Sequence, residues 1–301
     1  MRLDLNKIRE FGNIELLAKQ MVEGFVTGLH KSPYHGFSVE FAEHRLYNPG
    51  ESTRNVDWKV YAKTERLYSK RYEEETNLRC HLIVDVSSSM YYPTGNHGKL
   101  IFSAMSAASV AYLLHKQRDA IGLITFSDQI HLETPVKSTA THLHKIFLHL
   151  EELLYAKPTQ QKTAVSDTLH QIAEKIPRRS LVILFSDMLE DSQQTDQLFA
   201  ALQHLKHKKH EVLLFHVYDK KTELDFDFED RPHEFIDIES GEKLKINPYQ
   251  VKEVYIKTMK ERFEALKLKC SQFKIDFVEA DINEGYDKIL SSYLIKRAKM
   301  R

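Results

Sequence analysis

The sequence predicts an α/β protein built on a doubly wound, mostly parallel β-sheet. Short apolar runs rich in branched residues alternate along the chain with segments that have the period of an amphipathic helix. These runs are apolar at successive positions, which is typical of strands buried on both faces. Because 42% of the 301 residues are hydrophobic, the chain also has enough apolar mass for a large core.

The elements follow in chain order after an N-terminal helix that is marked by apolar residues at helical spacing from Ile14 to Leu29. We predict strands at Cys80–Val86, Asp119–Phe126, His131–Val136, Ser180–Asp187, Val212–Val217 and Lys274–Val278. We predict helices near residues 98–117, 141–154, 165–176, 191–208, 249–271 and 285–298. This alternation favours parallel strands with helices on both faces, a Rossmann-type arrangement.

Two further regions complete the predicted organisation. Residues 1–77 form an N-terminal helix and strand extension, which includes a strand-like stretch at Phe37–Phe41 and a turn at Asn48–Gly50. Residues 78–301 form the main domain, interrupted at about 219–248 by a polar, acidic insertion. Period-two alternation around Ser240–Gly241 predicts a β-hairpin inside this insertion.

Composition narrows the classes of function. Lys plus Arg and Asp plus Glu each number 43, and this balance argues against a general nucleic-acid binder. Two cysteines make a disulfide framework or a thiolate metal cluster improbable. No apolar stretch reaches the roughly 20 residues that span a bilayer, and the first residues do not resemble a signal peptide. We therefore expect a cytoplasmic protein without a membrane span.

Polar side chains follow the predicted strands where an open α/β sheet binds its ligands, at the carboxyl ends. Asp85, Ser87 and Ser89 follow the first strand of the main domain, Asp187 ends a later one, and Thr163 lies in a loop between them. If the two strands are neighbours, the carboxylates lie a few ångströms apart and repel by about 4 kcal/mol at an effective dielectric of 20. Either a proton on one carboxylate or a divalent cation relieves this repulsion.

The neighbouring hydroxyl groups favour the cation. An all-oxygen site with few carboxylates suits Mg²⁺, with Mn²⁺ or Ca²⁺ as alternatives. The competing interpretation is ordinary helix capping, because Ser and Asp after a strand often begin helices. A phosphate-binding loop at Gly95–Lys99 is excluded, since Pro93 and Leu100 stand where that motif requires Gly and Ser or Thr.

These residues resemble a known site. The order Asp-x-Ser-x-Ser, then Thr, then Asp is similar to the metal-ion-dependent adhesion site of von Willebrand factor A domains. Upstream, the stretches NPGESTRNVDWKVYAK (48–63) and LYSKRYEEETN (67–77) resemble the P-G-D-x-x-R-x-I-D-W-K-x-x-A-R…E-E-E motif of the bacterial "domain of unknown function fifty-eight" family. Members of that family join this motif to a von Willebrand A-like domain, and the resemblance covers nearly the whole chain.

The resemblance implies roles for the candidate residues. Ser87, Ser89 and Thr163 would contact the metal directly, Asp85 and Asp187 would do so directly or through water, and a partner carboxylate would supply the last ligand. Family members often have Thr-Asp where this chain has Thr163 followed by alanine at position 164, so one supporting acid is missing. Members are also often encoded near MoxR-type AAA+ ATPases, which implies a role with such an ATPase in assembling, maturing or remodelling other proteins.

Three functions remain open at this point. The first is a metal-dependent protein-interaction module, which is not an enzyme. The second is a metal-free scaffold with a vestigial site. The third is a metal-dependent phosphohydrolase with Asp85 as nucleophile, although Ser87 stands where such chemistry usually has a second acid.

Overall fold

The computed structural model of the 301-residue chain describes residues 13–29, 44–46, 58–70, 78–93, 98–155, 165–188, 195–238 and 241–299. Its helices are α1 (Ile14–Leu29), α2 (Trp58–Thr64), α3 (Gly98–Lys116), α4 (Ala140–Tyr155), α5 (Val165–Lys175), α6 (Thr195–His207), α7 (Pro248–Gln272) and α8 (Asp287–Lys299). Its strands are β1 (His44–Leu46), β2 (Tyr68–Lys70), β3 (Arg79–Asp85), β4 (Ala120–Phe126), β5 (Ile130–Glu133), β6 (Leu181–Ser186), β7 (Glu211–Tyr218), β8 (His233–Ile236), β9 (Lys243–Ile246) and β10 (Asp276–Asp281).

The main sheet confirms the predicted fold class. Among the described residues, six strands pair in the order β10-β7-β6-β3-β4-β5. All neighbours are parallel except β4 and β5, so the edge strand β5 runs antiparallel. Numbered along the sheet alone, this is the order 3-2-1-4-5-6 of doubly wound folds, and the strand order reverses between β3 and β6.

Both faces of this sheet are covered, which explains the continuous apolar runs of its strands. On one face, alternate residues such as Ile83, Leu184 and Leu214 pack with helices α5, α6 and α7 in a single apolar cluster. On the other face, α3 packs against the central strands and contacts α4 and α8. Nearly all of α3 is buried, because its Ala and Ser residues let it lie close to the sheet.

The chain divides into two compact units, one of residues 28–77 and the other of residues 1–27 together with 78–301. The first unit contains α2 and a two-stranded antiparallel sheet of β1 and β2. In the second unit, Met21 of α1 accepts a hydrogen bond from Ser109 of α3. The predicted strand-like stretch at 37–41 and turn at 48–50 lie outside the described residues.

The insertion contains the predicted β-hairpin, which β8 and β9 form in antiparallel register. It begins with a single π-helical turn, Lys220–Leu224, directly after β7. The ring of Phe226 lies 4.3 Å from that of Tyr255 on α7, between ring centroids, and so joins the insertion to this helix. The insertion therefore adjoins the carboxyl end of β7.

Three helices end in a left-handed residue that is basic rather than glycine. Arg118 after α3, Lys209 after α6 and Lys274 after α7 have φ angles of 60°, 62° and 57°. At two of these ends the following N–H closes the terminal turn, from Asp119 to the carbonyl of Leu114 and from Ile275 to that of Cys270. The conformation redirects the chain into the next strand.

No helix in the part of the chain described here is both long and apolar enough to cross a membrane. Whether the protein is cytoplasmic stays a prediction.

Candidate functional site

The candidate site lies where the strand order of the main sheet reverses. Asp85 is the last residue of β3 and Ser186 the last of β6, and the two strands pair in parallel up to Val84 and Phe185. Asp187 follows directly. In open α/β sheets the crevice at such a reversal is the usual ligand site.

Asp85 is fully buried and is held by neutral donors. Its Oδ1 accepts a hydrogen bond of 2.9 Å from the Ser87 backbone N–H, and its Oδ2 accepts one of 2.6 Å from the Ser186 hydroxyl. Burial and the nearby charge of Asp187 raise the pKa of Asp85 to about 7, because neither hydrogen bond supplies a compensating positive charge.

The loop after β3 turns two hydroxyl groups toward each other. A short 3₁₀ turn at Ser88–Tyr91 folds the chain back, with the Met90 N–H donating to the Ser87 carbonyl at 3.1 Å. As a result, the Ser87 and Ser89 Oγ atoms lie 3.1 Å apart. Ser87 is buried and Ser89 is partly exposed, so the pair faces the edge of the site.

Asp187, unlike Asp85, contacts a positively charged side chain. The ammonium of Lys99, in the first turn of α3, lies 2.7 Å from Asp187 Oδ2 and 2.6 Å from Glu223 Oε1. The Lys99 side chain is completely buried. Burial acts against its charged form, but the two carboxylates outweigh this effect and hold the pKa of Lys99 above its usual value.

Two contacts from β7 and the insertion fix the surroundings of Asp187. The Glu223 carboxylate also accepts a hydrogen bond of 2.7 Å from the Asp219 backbone N–H, so both of its oxygens are engaged. The His216 ring lies with Nε2 2.8 Å from the Asp187 carbonyl oxygen. Burial lowers the pKa of His216 to about 4, so the ring is neutral at neutral pH and donates its N–H to that carbonyl.

The model of the family called "Protein of unknown function DUF58" matches residues 43–265, which is most of the chain. The chain belongs to the DUF58 family. The sequence resemblance that predicted this membership is thereby confirmed.

The DUF58 chain is also similar to individual proteins. Uncharacterized proteins of Mycobacterium tuberculosis and Mycobacterium bovis are 24% identical to it over 208 residues, which cover 69% of this chain and 64% of theirs. The chain therefore matches a little under two thirds of the length of these relatives.

Among solved structures, BatB from Bacteroides thetaiotaomicron is 14% identical, with a TM-score of 0.42 over 74% of this chain and 100% of that one. A von Willebrand factor type A protein from Catenulispora acidiphila is 14% identical, with a TM-score of 0.32 over 50% of this chain and 34% of that one. The strand order of the main sheet, rather than these distant likenesses, supports the fold of this DUF58 protein.

Four of the five predicted site residues fall at one edge of the sheet. Ser87 contacts both Asp85 and Ser89, and the charge of Asp187 lies close enough to act on Asp85. Thr163 and the alanine after it lie outside the described residues. The role of the set in binding a metal stays a prediction.

The sequence interpretation missed three residues of the site. Lys99 was considered only as part of a phosphate loop. Its ammonium binds Asp187 and so relieves the repulsion between the two aspartates, a role that we had expected of a proton or a metal ion. Ser186 ends β6 and donates its hydroxyl to Asp85, and its place directly before Asp187 could have indicated this contact. Glu223 is 124 positions from Lys99 in the sequence, and no local sequence pattern predicts a contact over such a separation.

The oxygen atoms present fit a hard cation better than a transition metal. Within the described residues, no cluster of three or more His, Cys, Asp or Glu side chains is arranged to hold a metal ion. The candidate donors are hydroxyl and carboxylate oxygens, which suit Mg²⁺. Ser87 and Ser89 would hold the ion, with the carboxylates of Asp85 and Asp187 behind them.

Proposed function

We propose that this protein is a metal-dependent protein-interaction module that binds an acidic residue of a partner through a divalent cation. The observation that carries the proposal is the pair of Ser87 and Ser89 hydroxyls, 3.1 Å apart in the loop that follows Asp85 at the reversal of strand order. The ion would link the hydroxyls of this chain to the carboxylate of the partner.

The spacing of the hydroxyls supports Mg²⁺ as the ion. Two adjacent oxygens of an octahedral Mg²⁺ site, each about 2.1 Å from the metal, are about 3.0 Å apart. The Ser87 and Ser89 Oγ atoms are 3.1 Å apart, so the metal would need little rearrangement of either side chain. Mn²⁺ accepts the same geometry, whereas Ca²⁺ prefers more carboxylate ligands.

The balance of charge also favours a divalent ion. Asp85, Asp187 and Glu223 contribute three negative charges when ionised, and Lys99 contributes one positive charge. The formal charge of the cluster is therefore −2, in surroundings where water screens little. A doubly charged cation would neutralise it and would keep Asp85 ionised at neutral pH.

We propose binding rather than catalysis. A phosphohydrolase would need Asp85 to attack a substrate, but Asp85 is fully buried and both of its oxygens accept hydrogen bonds. A serine hydroxyl, here that of Ser87, is a poor proton donor at neutral pH.

A metal-free scaffold is the second candidate function, and Lys99 favours it. The ammonium of Lys99 already neutralises Asp187, so half of the site is stable without a metal ion. Such a scaffold would use the same edge of the sheet for partners but would not respond to chelators.

The partner that we propose is a MoxR-type AAA+ ATPase, or a protein that it helps to assemble, mature or remodel. This part of the proposal rests on the resemblance to the family, whose members are often encoded beside such ATPases. An exposed acidic residue on the partner is the chemistry that the metal requires.

Calorimetric titration with Mg²⁺ and Mn²⁺ tests the proposal. We expect the wild-type protein to bind one ion and both Asp85→Ala and the double variant Ser87→Ala/Ser89→Ala to lose binding. Ser109→Ala is a matched control, since Ser109 is also buried but bonds the carbonyl of Met105 within α3.

Capture of a purified MoxR-type ATPase from the source organism tests the partner. With Mg²⁺ constant, the wild-type protein and Ser109→Ala should retain the ATPase, and Ser87→Ala/Ser89→Ala should not. Absence of metal binding, together with capture by Asp85→Ala, would instead support the scaffold.

A further inference from the structure

We propose that Lys99 and Glu223 are positioning residues that set the metal affinity of the site in opposite directions, with Lys99 as its resident counter-ion. The inference rests on the proposed metal site and goes further, because it assigns control of that site to two side chains that would not touch the metal.

The first support is the geometry around Lys99. Its ammonium lies between Asp187 Oδ2 at 2.7 Å and Glu223 Oε1 at 2.6 Å, and its side chain is inaccessible to solvent. The Tyr92 ring adds a third neighbour, with its centroid 5.8 Å from the ammonium. Because this ammonium belongs to the chain itself and is shielded from water, its positive charge is a permanent part of the site.

The second support is the arithmetic of charge. With Lys99 and all three carboxylates ionised, the cluster carries −2, which one divalent ion balances. Without the lysine charge the cluster would carry −3, and without the Glu223 charge it would carry −1. At an effective dielectric of about 20, each such change alters the attraction for a divalent ion by at least about tenfold in affinity.

The third support is the position of Glu223 in the insertion. It belongs to the π-helical turn that opens the insertion, and its other oxygen is fixed by the Asp219 N–H at 2.7 Å. Lys99, whose ammonium binds Glu223, also donates its backbone N–H at 3.1 Å to the carbonyl of Tyr92, the residue that follows the 3₁₀ turn of the hydroxyl loop. The insertion therefore supplies part of the charge at the site and is joined to its loop.

The molecule contains a matched control at the opposite edge of the sheet. Lys296 is also largely buried and lies between two carboxylates, those of Glu211 and Asp276. Both carboxylates stand at the amino ends of their strands, away from the candidate site. Changes at Lys296 and Glu211 alter the same types of interaction without altering the charge at the proposed metal.

The experiment measures Mn²⁺ dissociation constants at constant pH and ionic strength for five full-length proteins. They are the wild type, Lys99→Met, Glu223→Gln, Lys296→Met and Glu211→Gln. We expect Lys99→Met to bind at least about tenfold more tightly than wild type and Glu223→Gln at least about tenfold more weakly. The two control variants should stay within about twofold of wild type.

Each outcome separates this inference from the proposed function. Equal affinities in all five proteins, or weaker binding by Lys99→Met, would overturn the inference while leaving the metal site intact. Absence of binding in every protein would overturn both. If Lys99→Met does not fold, Glu223→Gln decides alone, because it replaces a carboxylate by an amide of the same shape.

Discussion

The two edges of the main sheet each bury a lysine between two carboxylates, but they differ in access to water. At the amino edge, the Lys296 side chain is 10% exposed, and those of Glu211 and Asp276 are 43% and 41% exposed. At the carboxyl edge, Lys99 is 0% exposed, and its partners Asp187 and Glu223 are 3% and 14% exposed. Solvent can screen the first cluster and can hardly reach the second.

The edges also differ in their balance of charge. The carboxyl edge has a third acid, Asp85, whose pKa is raised by burial and by the nearby charge of Asp187. The amino edge is an ion pair at the margin of the core, whereas the carboxyl edge places three acids around one buried lysine.

The largest expected effect separates the two lysines. In chelator, Lys99→Met should lower the free energy of unfolding by about 3–5 kcal/mol, because it leaves two buried carboxylates without their cation. Lys296→Met should cost only about 1 kcal/mol, since water solvates its partners. Urea denaturation of both variants measures the contrast, and equal losses would contradict the distinction between the edges.

The next effect concerns Asp85 and pH. Its pKa is raised in the folded protein, so its contribution to stability is fully present below about pH 4 and is lost as the pH rises through about 7. In chelator, the wild-type protein should therefore lose about 4 kcal/mol relative to Asp85→Asn between pH 4 and pH 8. Urea denaturation across this range checks the sign, and a difference independent of pH would show that Asp85 carries no unbalanced charge.

A smaller effect is expected from the metal itself. Mg²⁺ at about 100 times its dissociation constant should stabilise the wild-type protein by about 2–3 kcal/mol, because it binds only the folded state. The variant Ser87→Ala/Ser89→Ala should lose this response, and Ser109→Ala should keep it. Thermal unfolding with and without Mg²⁺ provides the measurement, with Ca²⁺ as a test of selectivity.

The smallest effect tests the link between the insertion and the hydroxyl loop. Tyr92→Phe removes the phenol hydroxyl, which lies near enough to Thr222 of the π-helical turn for that residue to act on its pKa, and it keeps the ring beside Lys99, so it should cost about 1 kcal/mol or less. Hydrogen exchange should nevertheless become faster at the N–H groups of residues 220–224. Unchanged exchange there would indicate that the two segments are independent.

Much of the fold could be predicted because its strands are buried on both faces and are therefore apolar throughout. The four central strands were predicted to within about two residues of their bounds. The last strand was predicted at 274–278 but lies at Asp276–Asp281. It begins later because Lys274 has a left-handed conformation that ends the preceding helix and cannot belong to a strand. The sequence did not distinguish the antiparallel direction of β5, which depends on its pairing with β4.

The candidate site was only partly predictable for a different physical reason. Asp85 and Asp187 lie at the ends of two strands, and their proximity was predicted on the condition that these strands are neighbours, which the order 3-2-1-4-5-6 satisfies. Lys99 lies on a helix that returns over the sheet, and Glu223 comes from the insertion after β7. The contact between these two side chains depends on tertiary packing, which the periodicity and motif spacing of the sequence do not predict.

Replacing the basic residues that end α3, α6 and α7 by glycine should raise the thermal stability of the protein. A left-handed conformation costs an L-residue roughly 1 kcal/mol that glycine avoids. Arg118→Gly, Lys209→Gly and Lys274→Gly should therefore each raise the melting temperature slightly, and their separate locations should make the gains add. The triple variant would serve as a heat-tolerant background in which even severe substitutions at the carboxyl edge can be purified and compared.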